Sequence, residues 1–190
     1  MIFETLMADI RAVYRNDPAA KNIECILYPG FQAIFVHRLI HPLYRLGIPF
    51  IPRLISQISR LFTGVEIHPG AQIQKGFFID HGAGVVIGET AEIGENCVLF
   101  HNVTLGGTGK HEGKRHPTIG HNVFIGTGAT LLGPLTVGNN VRIGANTFLY
   151  MVDIPDNCTV VGTPGHITRM NGQKVNIRPR PTHAPSNRVL

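Results

Sequence analysis

With 190 residues, 43% of them hydrophobic and 15% charged, the chain can bury the core of about one domain, which excludes a disulfide-stapled miniprotein and a disordered segment alike. Its 22 Gly and 13 Pro exceed the usual combined share of about 12%, so it turns often, and no uncharged apolar run approaches the roughly 18 residues of a membrane-spanning helix. A net charge of +5 without any Trp, part of it from Arg178, Arg180 and Arg188, offers little for bases to stack on, so no nucleic acid is expected; a phosphate-bearing small molecule would use the same charge.

Residues 1–62 have helical periodicity. Ile2, Leu6, Ile10 and Val13 form one stripe, Val36, Leu39 or Ile40 and Leu43 a second, and Ile51, Leu54, Ile55, Ile58 and Leu61 a third. Pro18, Pro29 and Pro52 suit segment starts, and Pro42 is expected to end or kink the second helix near His41. Glu4 and Asp9 interrupt the stretch where a secretory signal would need an apolar run, so no targeting segment is expected. Three widely spaced cysteines, Cys25, Cys97 and Cys158, point to reduced thiols and a cytoplasmic setting.

From Thr63 the period becomes six. Aliphatic residues recur at Ile67, Ile73 and Ile79, then at Ile87, Ile93, Leu99 and Leu105, then at Ile119, Ile125, Leu131, Val137, Ile143 and Leu149, resuming at Val161 and Ile167 after a lapse at Pro155. Of eleven such positions from Ile87 to Val161, eight are followed by Gly. A six-residue unit cannot bury its own aliphatic side chain, so the units must stack, with Gly permitting each tight corner. Two positions earlier stands another small or branched residue (Ala91, Cys97, Val103, Val123, Ala129, Val141, Thr147), as alternation along short strands requires. This is the hexapeptide pattern of a parallel β-helix, and Cys97 reads as core. The resemblance of this pattern to hexapeptide-repeat families implies three units per coil, hence six coils for residues 63–170 and a column roughly 29 Å tall at about 4.8 Å per strand.

The count slips twice. Ile79 and Ile87 are eight residues apart, across Asp80-His81-Gly82-Ala83-Gly84, and Leu105 and Ile119 are fourteen apart, so a loop leaves the column within 106–118. Neither excursion helps a regular scaffold, and both carry polar residues, which makes them the site candidates. Gly107-Thr108-Gly109-Lys110 fails the Walker pattern because His111 stands where Ser or Thr is required.

Gly64-Val65-Glu66-Ile67-His68-Pro69-Gly70-Ala71, Asp80-His81, Gly88-Glu89-Thr90-Ala91, Val103 to Lys110 and Arg115-His116-Pro117, preceded by Ala8-Asp9-Ile10 and Asp17-Pro18-Ala19, together closely resemble the serine acetyltransferases. The resemblance implies a left-handed parallel β-helix (63–170) behind a small N-terminal α-helical domain (1–62), with a C-terminal tail (171–190). It implies transfer of acetyl from acetyl-CoA to the L-serine hydroxyl, giving O-acetylserine for cysteine synthesis. His81 would be the general base, matching histidine's titration near neutrality, with Glu66, where many members have Asp, holding its imidazole. Arg115 and His116 would take the serine carboxylate, Asp80 and Asp17 the amino group, and Glu89 matches a further characteristic acid. His116 would also stabilise an oxyanion or share the base role. Coenzyme A would lie near Gly107, Thr108, Thr127, Gly128 and Ala145, with Arg142, where the family has Lys, near its phosphates. No metal is expected.

The same resemblance implies a homotrimer with sites between columns, a dimer of trimers being the alternative for members with longer helical extensions. It also implies cysteine as a feedback inhibitor and a complex with O-acetylserine sulfhydrylase through the tail ending at Leu190. Three other readings stand beside it: a hexapeptide acetyltransferase with a sugar or antibiotic acceptor; a zinc enzyme like the gamma-class carbonic anhydrases, for which His116 and His121, with His81 upstream, have the ligand spacing; and a non-catalytic β-helix in a larger assembly.

Overall fold

The computed structural model describes residues 2–109 and 112–179; Lys110, His111 and the tail from Arg180 through Arg188 to Leu190 lie outside the described residues. Three α-helices come first: α1 (Ile2–Asn16), α2 (Pro29–Arg45) and α3 (Ile51–Thr63), with a 3-10 turn at Ile23–Leu27 between the first two. Pro29 and Pro52 open their helices as expected, where a missing N–H costs nothing. Pro42 does not end α2. The helix continues one turn past it to Arg45 and closes through Leu46 N–H on the Pro42 carbonyl.

The column follows as coils of three short strands. They are β1 (Glu66–Ile67), β2 (Gln72–Ile73) and β3 (Phe78–Ile79); β4 (Val86–Ile87), β5 (Glu92–Ile93) and β6 (Val98–Leu99); β7 (Thr104–Gly106), β8 (Thr118–Ile119) and β9 (Phe124–Ile125); β10 (Thr130–Leu132), β11 (Thr136–Val137) and β12 (Arg142–Ile143); and β13 (Phe148–Tyr150) with β14 (Cys158–Val161). Equivalent strands pair in parallel, giving a β1 face (β1, β4, β7, β10, β13), a β2 face (β2, β5, β8, β11) and a β3 face (β3, β6, β9, β12, β14).

Register puts one aliphatic ladder inside each face: Ile67, Ile87, Leu105, Leu131 and Leu149; Ile73, Ile93, Ile119 and Val137; and Ile79, Leu99, Ile125, Ile143 and Val160. Ala91, Cys97, Val103, Val123, Ala129, Val141 and Thr147 fill the corners and are at most 1% exposed. Burial pushes the Cys97 thiol up to about 11, which makes it a core residue and not a nucleophile.

The column has five coils, not six. Two residues at the first slip, the long loop and the final strands all leave the repeat. After Leu149 the next inward residue comes only five positions on: Ile154 bridges to Val137, and Val160 is buried while Val161 is 40% exposed. Ile167 lies on β15 (His166–Met170), which turns back antiparallel to β14 and pairs with β16 (Gln173–Ile177), closing the column.

The helices cover the outer side of the first coils. Ala12, Val13, Cys25 and Phe31 pack on Phe78 and Val98 of the β3 face. Asp9 of α1 is fully buried, accepts from Arg38 Nε of α2 at 3.0 Å and from Phe77 N–H at 3.0 Å, while Arg38 also donates to the Ile73 and Gln74 carbonyls. One buried ion pair thus ties two helices to the column; burial raises the Asp9 carboxyl more than Arg38 lowers it. The third helix differs from its sequence reading. It buries Pro52, Ser56 and Thr63, with Ser56 Oγ donating to Ile67 O at 2.8 Å, because small polar residues let the helix lie close to β1. Its stripe of Ile51, Leu54, Ile58 and Leu61 is instead 41–82% exposed. Among the described residues no helix is long and apolar enough to cross a membrane.

Candidate active site

The first slip lies on the edge where the β3 face turns into the β1 face. Asp80 N–H keeps its ladder bond to Leu99 O, and Asn102 N–H bonds to Ala83 O as Gly128 N–H does to His101 O one coil on. His81 and Gly82 are therefore the two extra residues. At the corners this scaffold mostly places Asn or Gly in the left-handed region, among them Asn96, Asn102, Asn122, Asn140 and Asn146; His81, at φ 61°, and Met151, at φ 52°, are neither. Such a residue costs about 1 kcal/mol or more.

The result is an imidazole pushed out of the column. His81 is 75% exposed, its Nε2 lies 3.9 Å from Asp80 Oδ2, and its ring meets that of His101 edge to face at 5.8 Å. His101 is pinned in turn by Thr127 Oγ1 at 2.7 Å from its Nε2. From the helical side comes Asp17, just past α1; it holds the Tyr28 hydroxyl, which raises the Tyr28 pKa, with Asp80 adding to the effect. Gly30 lets α2 start directly against the strand leading to Asp80, since a Cβ there would lie 2.1 Å from Ile79 O. Asp17, Asp80 and His81 thus share one edge, and register adds Thr127, Gly128 and Ala145 above them. Arg142 lies on the β3 face with its guanidinium 4.7 Å over the Phe124 ring.

The second group occupies the next edge, between the β1 and β2 faces. Arg115 is ion-paired to Glu89, which also accepts from Tyr44 Oη at 2.8 Å. These two bonds hold the Glu89 carboxyl below the usual range, the tyrosine first. His116 is 8% exposed; burial, then the Arg115 charge, lowers its pKa, and burial likewise lowers that of His68 nearby. Thr90 N–H and Oγ1 lie 3.2 and 2.9 Å from His116 Nδ1. Gly107, Thr108 and the end of the long loop belong to this edge; a Cβ on Gly107 or Gly88 would press on the His116 ring.

One expected contact is not made. Glu66 meets Arg60 at 3.0 Å and Arg53 at 3.2 Å, both from α3, instead of His81. Arg53 and Arg60 stand two turns apart on one face of α3, and both reach the longer carboxylate. Tyr28, Tyr44, His68, Thr90 and His101 received no role from the sequence. Thr90 was visible inside Gly88–Ala91, whereas Tyr44 reaches Glu89 across 45 residues and leaves no local signal. His81, His116 and His121 stand on three different edges of the column, and among the described residues no three metal-ligating side chains come together.

A stacked parallel column whose corners carry an imidazole on one edge and a cation beside a second imidazole on the next is the architecture of a hexapeptide-repeat transferase, and residues 116–150 match the family model for the bacterial transferase hexapeptide, six repeats. The serine acetyltransferase of Synechococcus elongatus is 55% identical over 176 residues, 92% of this chain and 72% of that protein. Among solved structures, the Neisseria gonorrhoeae serine acetyltransferase in complex with serine superposes with a TM-score of 0.84 at 39% identity, covering 88% of this chain and 69% of that one. The Entamoeba histolytica serine acetyltransferase 1 in complex with L-cysteine gives 0.78 at 48% identity, covering 84% and 62%. The chain belongs to the serine acetyltransferase family, a family of acyltransferase enzymes.

Proposed function

We propose that this protein transfers acetyl from acetyl-CoA to the hydroxyl of L-serine, in a ternary complex formed between columns of a homotrimer. The observation that carries this reading is the division of the polar groups between two edges: Asp17, Asp80 and His81 on one, Arg115, His116 and Glu89 on the next. A whole face separates them within one chain, so a pocket using both needs the neighbouring column's edge. His81, 75% exposed in a single chain, is then covered by that neighbour.

The serine carboxylate binds Arg115, whose planar donors match it two by two, with His116 beside it. Asp80 and Asp17 take the ammonium. His81 removes the hydroxyl proton as the oxygen attacks the thioester carbonyl; the C–S bond breaks, and the imidazolium returns that proton to the departing thiolate, giving O-acetylserine and free coenzyme A. A positioned base of this kind contributes roughly 10²–10⁴-fold. The edge above His81, through Thr127, Gly128 and Ala145, provides backbone groups for the pantetheine arm, with Arg142 for the phosphates and Gly107 and Thr108 contributed across the interface. L-cysteine, of the same shape as serine, would compete for the amino-acid pocket. Three buried, unpaired cysteines suit a reducing cytoplasm. Docking of O-acetylserine sulfhydrylase would fall to the tail at Leu190, outside the described residues.

Thiol release from acetyl-CoA tests the reading, with L-serine, homoserine, a galactoside and chloramphenicol as acceptors. Release that depends on serine above the others is expected. Equal or faster release with another acceptor would overturn the substrate assignment.

A further inference from the structure

Three consecutive residues at the end of the long loop come back onto one threonine. Lys114 Nζ donates to Thr90 O at 2.7 Å; the backbone N–H groups of Arg115 and His116 donate to Thr90 Oγ1 at 3.0 and 3.2 Å. A hydroxyl oxygen has two lone pairs and one hydrogen. Both lone pairs are taken by those N–H groups, and the hydrogen is left for His116 Nδ1 at 2.9 Å. The Thr90 backbone N–H also points at that nitrogen from 3.2 Å.

A backbone N–H can only donate, so Nδ1 must be a bare acceptor, and the neutral ring carries its hydrogen on Nε2. The charged and titratable groups facing the ring are Arg115, Lys114, Glu89 and His68; burial and the two cations keep it neutral. Gly88 and Gly107 leave the space around Nε2 clear, since a Cβ on either would fall 2.1 or 3.2 Å from it.

We infer that Thr90 is a positioning residue that locks His116 as an Nε2–H donor and, with the same oxygen, sets the backbone carrying Arg115. His116 then serves as a hydrogen-bond donor to the amino-acid substrate or the developing oxyanion, not as a second base. Thr90 acts only through its two neighbours. The assignment rests on the serine-acetylating reading for its kinetic consequence, but not for its spectroscopic one.

The test compares the parent with Thr90→Val and Thr90→Ser. Long-range ¹⁵N–¹H spectra of the imidazoles, with His116 assigned through His116→Asn, should show a single Nε2-protonated tautomer in the parent and in both variants, since Thr90→Val keeps the backbone N–H that faces Nδ1, and an Nδ1 resonance displaced in Thr90→Val alone, where the hydroxyl's hydrogen bond is lost. In the thiol-release assay Thr90→Val should raise KM for serine about 10-fold or more with KM for acetyl-CoA within about threefold, and Thr90→Ser should stay within about threefold of the parent for both. A parent tautomer carrying hydrogen on Nδ1, an Nδ1 resonance in Thr90→Val unchanged from the parent, or a Thr90→Ser variant as impaired as Thr90→Val would overturn the assignment. Absence of serine acetylation in the parent, with the tautomer pattern intact, would instead refute the substrate reading and leave the lock standing.

Discussion

Replacing Asp9 by Ala probes how the helices are fixed to the column. In the native chain the Asp9 carboxylate is fully buried and takes bonds from Arg38 and from Phe77 N–H. The variant leaves a guanidinium only 9% exposed, held by the Ile73 and Gln74 carbonyls alone. Breaking a buried pair by removing one partner costs about 3–5 kcal/mol, and a buried amide left unpaired about 1–3; since the two overlap, about 5 kcal/mol is the expected loss. For a chain of this size that corresponds to a fall in Tm of roughly 10–20 °C. Scanning calorimetry at one protein concentration measures it. Asp9→Ala combined with Arg38→Met should recover a good part, because it removes the stranded charge as well. Because α1 leads directly to Asp17, the single variant should also raise KM for serine while sparing that for acetyl-CoA. A loss below about 1 kcal/mol, or a double variant no better than the single one, would refute the clamp.

His81→Ala should lower kcat at least about 100-fold without changing the oligomeric mass; steady-state rates beside light scattering check both. Arg115→Ala is expected to weaken serine binding and spare acetyl-CoA, and equal losses in calorimetric titrations of the two would show the loop to be misassigned. Gly88→Ala would put a methyl about 2.0 Å from the His116 ring, so its KM for serine should rise although the fold melts normally. His37, buried with its pKa lowered to about 3 by desolvation, is neutral in the fold, whereas the unfolded chain takes up a proton below about pH 6.5. Stability should therefore fall as pH drops, by about 2.3 kcal/mol between pH 6.5 and 4.5 from this group. His37→Gln should flatten that part of the slope in urea titrations, and a parallel slope would contradict it.

The column was legible because a six-residue unit repeats one physical requirement, an inward aliphatic side chain followed by a corner, and register makes every error visible. Where the unit shortened, between Leu149 and Ile154, the count ran on to Val161 and missed Val160 by one residue. The helices were harder. Their apolar stripes located α1 to α3, but the buried side of α3 is chosen by Ser56 and Thr63, small hydroxyls that periodicity of apolar residues overlooks. Pro42 misled because a proline near a helix end forfeits one bond that the last turn can spare. At the candidate site, the two slips lead to the segments that carry Asp80-His81 and Arg115-His116, since only extra residues can leave a repeating scaffold. The partners of Glu66 were not legible, for nothing local announces that Arg53 and Arg60 arrive from a helix packed against its strand.

Parallel stacking in register makes this protein a ruler. Successive positions on the His81 edge, Ala83, His101, Thr127 and Ala145, are graduations about 4.8 Å apart, so Ala145 stands roughly 14 Å beyond the first mark. Distance along that edge changes only in whole graduations, and the count of turns, not the shape of any one loop, sets how long a molecule laid along the edge can be.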